Sequence, residues 1–74
     1  MQILYINNFG GGFADYVTVA ANTTIEKFFQ LQLPNENTGD FLIRVNRQPV
    51  PREYVLQEND RVTITPTKLE GAKI

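Results

Sequence analysis

Apolar residues along this chain fall into short runs of two different periods, separated by polar turn formers. Met1 to Ile6 is apolar and rich in strand formers. Asn7-Asn8-Phe9-Gly10-Gly11-Gly12-Phe13 follows as a turn-rich stretch, and Tyr16-Val17-Thr18-Val19 then alternates with Val17 and Val19 on one face. Two strand-like runs joined by a glycine-rich loop predict a β-hairpin, with a connection longer than the two-residue ideal. The period then changes. Ile25, Phe28 and Phe29 stand at i, i+3 and i+4, the apolar stripe of a helix. Thr23 and Glu26 have capping-box spacing and Thr24 is the alternative N-cap, so a helix starts here in either case. Pro34 excludes Leu33 from helical conformation and ends it. At two to three turns the helix is too short to be stable alone and must pack on the sheet.

The second half returns to the strand period. Phe41, Ile43 and Val45 share one face of Phe41-Leu42-Ile43-Arg44-Val45, and Asn46-Arg47-Gln48-Pro49 reads as a turn. Val50 to Asp60 is irregular, with Tyr54 and Leu56 as its expected buried anchors. Arg61-Val62-Thr63-Ile64-Thr65 is the clearest strand, with Val62 and Ile64 inward and Arg61, Thr63 and Thr65 outward. Pro66 removes a ladder donor, so pairing should weaken there. One sheet face is then apolar and the other wet. The single helix must be the cover, which makes a two-layer α+β domain.

Composition narrows the chemistry. The chain has 74 residues, enough for one domain with a thin core, and 42% of them are hydrophobic. Cysteine, histidine, serine and tryptophan are absent. The usual nucleophile–base pairs and zinc ligand sets therefore cannot be built. The eight carboxylates, Asp60 among them, are expected in polar, solvated surroundings. The chain is not expected to be an enzyme, and no cofactor or metal is expected. A net charge of −1 favours no nucleic acid. Arg44, Arg47, Arg52 and Arg61 fall close together in sequence with Glu53, Glu58 and Asp60 among them, and read as a mixed solvated surface. No apolar run approaches the roughly 20 residues of a membrane span, and no basic segment precedes an apolar one as in a signal peptide. The expected location is the cytoplasm, with no membrane contact, and the expected state a monomer.

This order of elements, in this length, resembles the β-grasp fold of ubiquitin-like proteins, a mixed sheet of four to five strands covered on one face by one helix. Met1-Gln2-Ile3 opens the first strand as in ubiquitin, and Thr24-Ile25-Glu26 resembles the start of its helix. Tyr54-Val55-Leu56-Gln57 followed by Val62-Thr63-Ile64 resembles its Tyr-x-Ile-Gln loop and final strand. Val45-Asn46-Arg47-Gln48-Pro49-Val50-Pro51-Arg52 is similar to the Val-Asn-x-x-x-Val-Pro-Arg run of bacterial sulfur carriers, the small subunits of thiamine and molybdopterin synthesis. Leu56-Gln57-Glu58-Asn59-Asp60 resembles the turn before their last strand. Prokaryotic ubiquitin-like proteins found beside activating enzymes and peptidases are similar too.

The resemblance implies a domain over residues 1–68, a flexible tail over 69–74, and tail chemistry. In such families the C-terminal glycine carboxylate is adenylated and becomes a thiocarboxylate or is joined to a target. Glycine serves because the tail threads a narrow channel as bare backbone. Counting from Tyr54 places Gly71 at the final glycine, with Glu70 before it. Ala72, Lys73 and Ile74 follow, so this chemistry requires trimming after Gly71 or use of a non-glycine end. The implied partners are an adenylating (activating) enzyme and a processing peptidase. Leu4 and Ile6 are expected outward by resemblance, as part of an apolar patch. Phe9 and Phe13 either fold back on the core from a glycine turn or form an exposed loop that docks a partner. Arg61, Thr63 and Thr65 are a solvated strand face or a binding face. The alternative to a carrier is a non-conjugated adaptor or assembly module that kept the fold without the tail chemistry.

Overall fold

The computed structural model describes residues 1–9 and 11–67. Its elements are β1 (Gln2–Asn7), β2 (Phe13–Thr18), α1 (Ile25–Gln32), a 3-10 turn (Thr38–Asp40), β3 (Phe41–Val45), β4 (Gln48–Pro49) and β5 (Arg61–Pro66). They form one five-stranded sheet in the order β2-β1-β5-β3-β4. β1 and β5 pair in parallel at its centre, and the other contacts are antiparallel. The arrangement is a mixed sheet with one helix across one face, the α+β β-grasp architecture.

Alternation along each strand sorts the apolar side chains. Ile3 and Tyr5 of β1, Val62 and Ile64 of β5, and Phe41 and Val45 of β3 are buried against Ile25, Phe28 and Phe29 of α1, with Leu56 closing one end. The aromatic rings meet edge to face, the arrangement their quadrupoles favour: Tyr5 on Phe28 at 5.0 Å and 87°, Phe29 on Phe41 at 5.3 Å and 63°. Truncating a ring as deeply buried as Phe28 costs about 3–5 kcal/mol.

The helix begins at Thr24, whose Oγ1 accepts from the Lys27 N–H at 3.2 Å. Thr23 turns inward and donates its hydroxyl to the Ala20 carbonyl at 2.7 Å. The other free N–H groups of the first turn reach carbonyls of the irregular segment, Ile25 to Tyr54 at 2.8 Å and Glu26 to Arg52 at 3.1 Å. That segment is thereby fixed to the helix start, and a bridge between Thr24 and Val55 adds to it. Leu33 caps the other end at φ −132°, immediately before Pro34.

Three boundaries differ from the sequence expectation. β2 starts at Phe13, because its ladder with β1 continues to the Asn7–Phe13 pair. Only Asn46 and Arg47 form the turn after β3, both at positive φ (54° and 73°), while Gln48–Pro49 is already strand β4. Two left-handed residues between paired Val45 and Gln48 make a type I′ hairpin turn, which Asn opens readily and Arg closes under strain. Pro66 still faces Phe41 at the end of β5.

Candidate functional site

Among the described residues the helix covers one side of the sheet and leaves the other open. On that open side the strand registers set out a continuous surface. Tyr16 faces Leu4, which faces Arg61 across the parallel pair. Ala14, Ile6, Thr63 and Arg44 form the next row, and Thr65 stands opposite Leu42 in the row beyond. Five of the sequence candidates, Leu4, Ile6, Arg61, Thr63 and Thr65, are therefore gathered on one face. Leu4, Ile6, Thr63 and Thr65 are half-buried by their neighbours, and Arg61 is exposed. Asn8 lies at the rim, its amide donating to Thr65 Oγ1 at 3.0 Å.

Two members of this surface escaped the sequence reading. Tyr16 is 59% exposed and borders Leu4, and Leu42 is half-buried beside Thr65. The signal was present. The alternation that places Val17 inward puts Tyr16 outward, and the one that buries Phe41 and Val45 does the same for Leu42. The face thus carries Leu4, Ile6 and Tyr16 together on β1 and β2, the row Arg61, Thr63 and Thr65 on the central strand β5, and Leu42 and Arg44 beyond that row on β3.

Phe9 and Phe13 lie on the opposite, helix side of the sheet. Phe9 stands edge-on to Phe41 at 5.2 Å and 79°, and Phe13 is tilted against Tyr5 at 5.6 Å and 47°. They remain 39% and 48% exposed. Both rings therefore extend the core outward rather than form a free loop, and they do not join the Leu4–Ile6 surface. The loop between them turns at Gly12, whose φ of +85° requires glycine. Gly71 lies outside the described residues.

The carboxylates were expected to be solvated, and Asp60 is a correction to that. It is only 5% exposed. Its Oδ1 accepts from the Asn46 amide at 3.0 Å, and its Oδ2 accepts from the Tyr54 hydroxyl and the Gln57 N–H, both at 2.8 Å. Asn46 Oδ1 in turn accepts from the Arg61 N–H at 3.0 Å. A buried carboxylate with this many donors holds turns together. The hydrogen bond to Asp60 is the main cause that raises the Tyr54 pKa above 10.0, with burial and the Asp60 charge adding to it. Burial likewise raises Tyr5, partly offset by the Asn7 amide that donates to its hydroxyl at 2.9 Å.

Among the described residues no group of three or more acidic side chains is placed to hold a metal ion. No described helix is long and apolar enough to cross a membrane. A groove of about 500 Å³ runs between α1, the Pro34–Thr38 connection and Arg52. It is open and mostly polar.

The sheet order, the parallel central pair and the single covering helix define a ubiquitin-like β-grasp fold. Among solved structures the chain is similar to a ubiquitin-like protein from the hyperthermophilic archaea Caldiarchaeum subterraneum, with 13% identity and a TM-score of 0.68 over 93% of this chain and 99% of that one. At that identity the likeness is one of fold. No protein-family model matches the chain, and no curated protein matches it.

Proposed function

We propose that this protein is a small ubiquitin-like carrier, close in kind to the bacterial sulfur carriers, which an adenylating enzyme grips by the open sheet face while acting on its tail. The observation that carries this reading is the surface of Leu4, Ile6, Tyr16 and Leu42 on the uncovered side of a ubiquitin-like sheet. Gly71 follows Thr67, the last described residue, by four positions in sequence. In this reading a peptidase removes Ala72, Lys73 and Ile74, and the exposed Gly71 carboxylate attacks the α-phosphate of ATP. An acyl-adenylate forms and pyrophosphate leaves. The domain supplies no catalytic side chain. It supplies recognition and a slim, glycine-ended tail.

The second reading, a non-conjugated adaptor that binds through the same face, is favoured by one feature of the sequence: Gly71 is unpaired and three residues follow it. ATP–pyrophosphate exchange with a candidate adenylating enzyme separates the two. A chain ending at Gly71 supports exchange, and the chain ending at Ile74 does not. Leu4→Glu with Ile6→Glu in the Gly71-ended chain lowers exchange by about tenfold or more by placing charge in the apolar contact. Exchange that is absent from the Gly71-ended chain rejects the carrier reading, and exchange equal for both ends rejects the trimming step in favour of a non-glycine end.

A further inference from the structure

β2 is an edge strand, and the hydrogen-bond phase of the hairpin fixes which of its backbone groups are open. Met1 and Val19 exchange both of their hydrogen bonds at 2.8 Å. Antiparallel pairing alternates, so Ile3–Val17, Tyr5–Asp15 and Asn7–Phe13 are the bonded pairs that follow. Ala14, Tyr16 and Thr18 therefore direct N–H and C=O away from β1, and all three residues are exposed. Such an edge is a template for another strand. At its middle, however, the Tyr16 N–H is already taken: Asp15 Oδ1 accepts from it at 2.7 Å.

We propose that the β2 edge is a pairing surface for a second copy of this chain and that the Asp15 carboxylate closes it by holding the Tyr16 N–H. The choice of a second copy follows from the register. Two β2 strands running antiparallel about a twofold axis through Tyr16 bring Tyr16 opposite Tyr16, and Ala14 opposite Thr18 on both sides. Every outward-directed backbone group is then matched to another outward-directed one. Asp15 faces Val17 of the other copy, so no like charges meet. Sliding the strands so that Ala14 faces Tyr16 sets Asp15 directly against Asp15 and leaves Thr18 unmatched. Sliding the other way leaves Ala14 unmatched. A single register thus satisfies the whole edge, its centre is the donor that Asp15 occupies, and this proposal is independent of the tail chemistry.

The test is sedimentation equilibrium over a concentration series, for the full chain and its variants, with far-UV circular dichroism as the check on folding. The wild-type chain stays monomeric. Asp15→Ala self-associates to a dimer at least about tenfold more tightly, the scale of one charge-assisted hydrogen bond per copy that no longer has to be broken. Asp15→Val, a better strand former, does the same and serves if the alanine variant folds poorly. Adding Tyr16→Pro to either removes the central outward donor without touching the β1 ladder, and the dimer is lost. Folded Asp15 variants that remain monomeric overturn the proposal. So does a wild-type dimer as tight as theirs, or a dimer indifferent to Tyr16→Pro.

Discussion

Tyr54 gives its hydroxyl proton to Asp60 at 2.8 Å, and the same carboxylate holds the Asn46 side chain and the Gln57 backbone. Asn46 and Asn59 both stand at positive φ (54° and 69°), where asparagine is tolerated. The turns before and after the irregular segment are therefore joined through one buried acid. This has a pH consequence. The folded pKa of Tyr54 lies above its ordinary value of 10.0. The stability the interaction confers is thus fully present below that value and is lost as pH rises through the folded pKa. Tyr5 shifts in the same direction. The melting temperature should be flat from neutral pH and fall above about pH 10. Tyr54→Phe should cost about 1 kcal/mol at neutral pH and make the alkaline fall shallower. Parallel alkaline curves for wild type and variant would remove Asp60 as the cause. Little of this was legible beforehand. Asp60 reads as one more turn acid in the sequence, and only the return of the chain past Asn46 and Tyr54 buries it.

Single elements were readable to the degree that one period dominated them. The Ile25-Phe28-Phe29 stripe and the alternation through β3 and β5 identify core residues that are buried in the fold. The 3-10 turn at Thr38–Asp40 and the two-residue strand β4 carry too few residues to show a period and were not anticipated. The hairpin loop is the intermediate case. Its glycines mark a turn, but no local rule says on which side of the sheet Phe9 and Phe13 settle. Their ring contacts with Phe41 and Tyr5 now set an expectation. Phe9→Ala and Phe13→Ala should each lower stability by about 1–2 kcal/mol, less than the roughly 3–5 kcal/mol of a buried ring, because both are partly solvated. Thermal melts of the two variants beside Phe28→Ala check the ranking. A Phe13→Ala loss as large as that of Phe28→Ala would mean the ring is core in solution.

At the scale of the whole molecule the sheet separates two surfaces that the sequence left undivided. Leu4, Ile6, Arg61, Thr63 and Thr65 share the open face, while Phe9 and Phe13 buttress the helix side. The strand pattern shows which residues share a strand face; the order β2-β1-β5-β3-β4, a long-range property, brings the faces of separate strands together. That assembled face and the tail are the two parts of the proposed carrier role, and the tail is the more decisive. Intact mass of the mature protein from its own cells measures it directly. The carrier account predicts a chain that ends at Gly71, lacking Ala72, Lys73 and Ile74. A mature chain that always ends at Ile74 would contradict it.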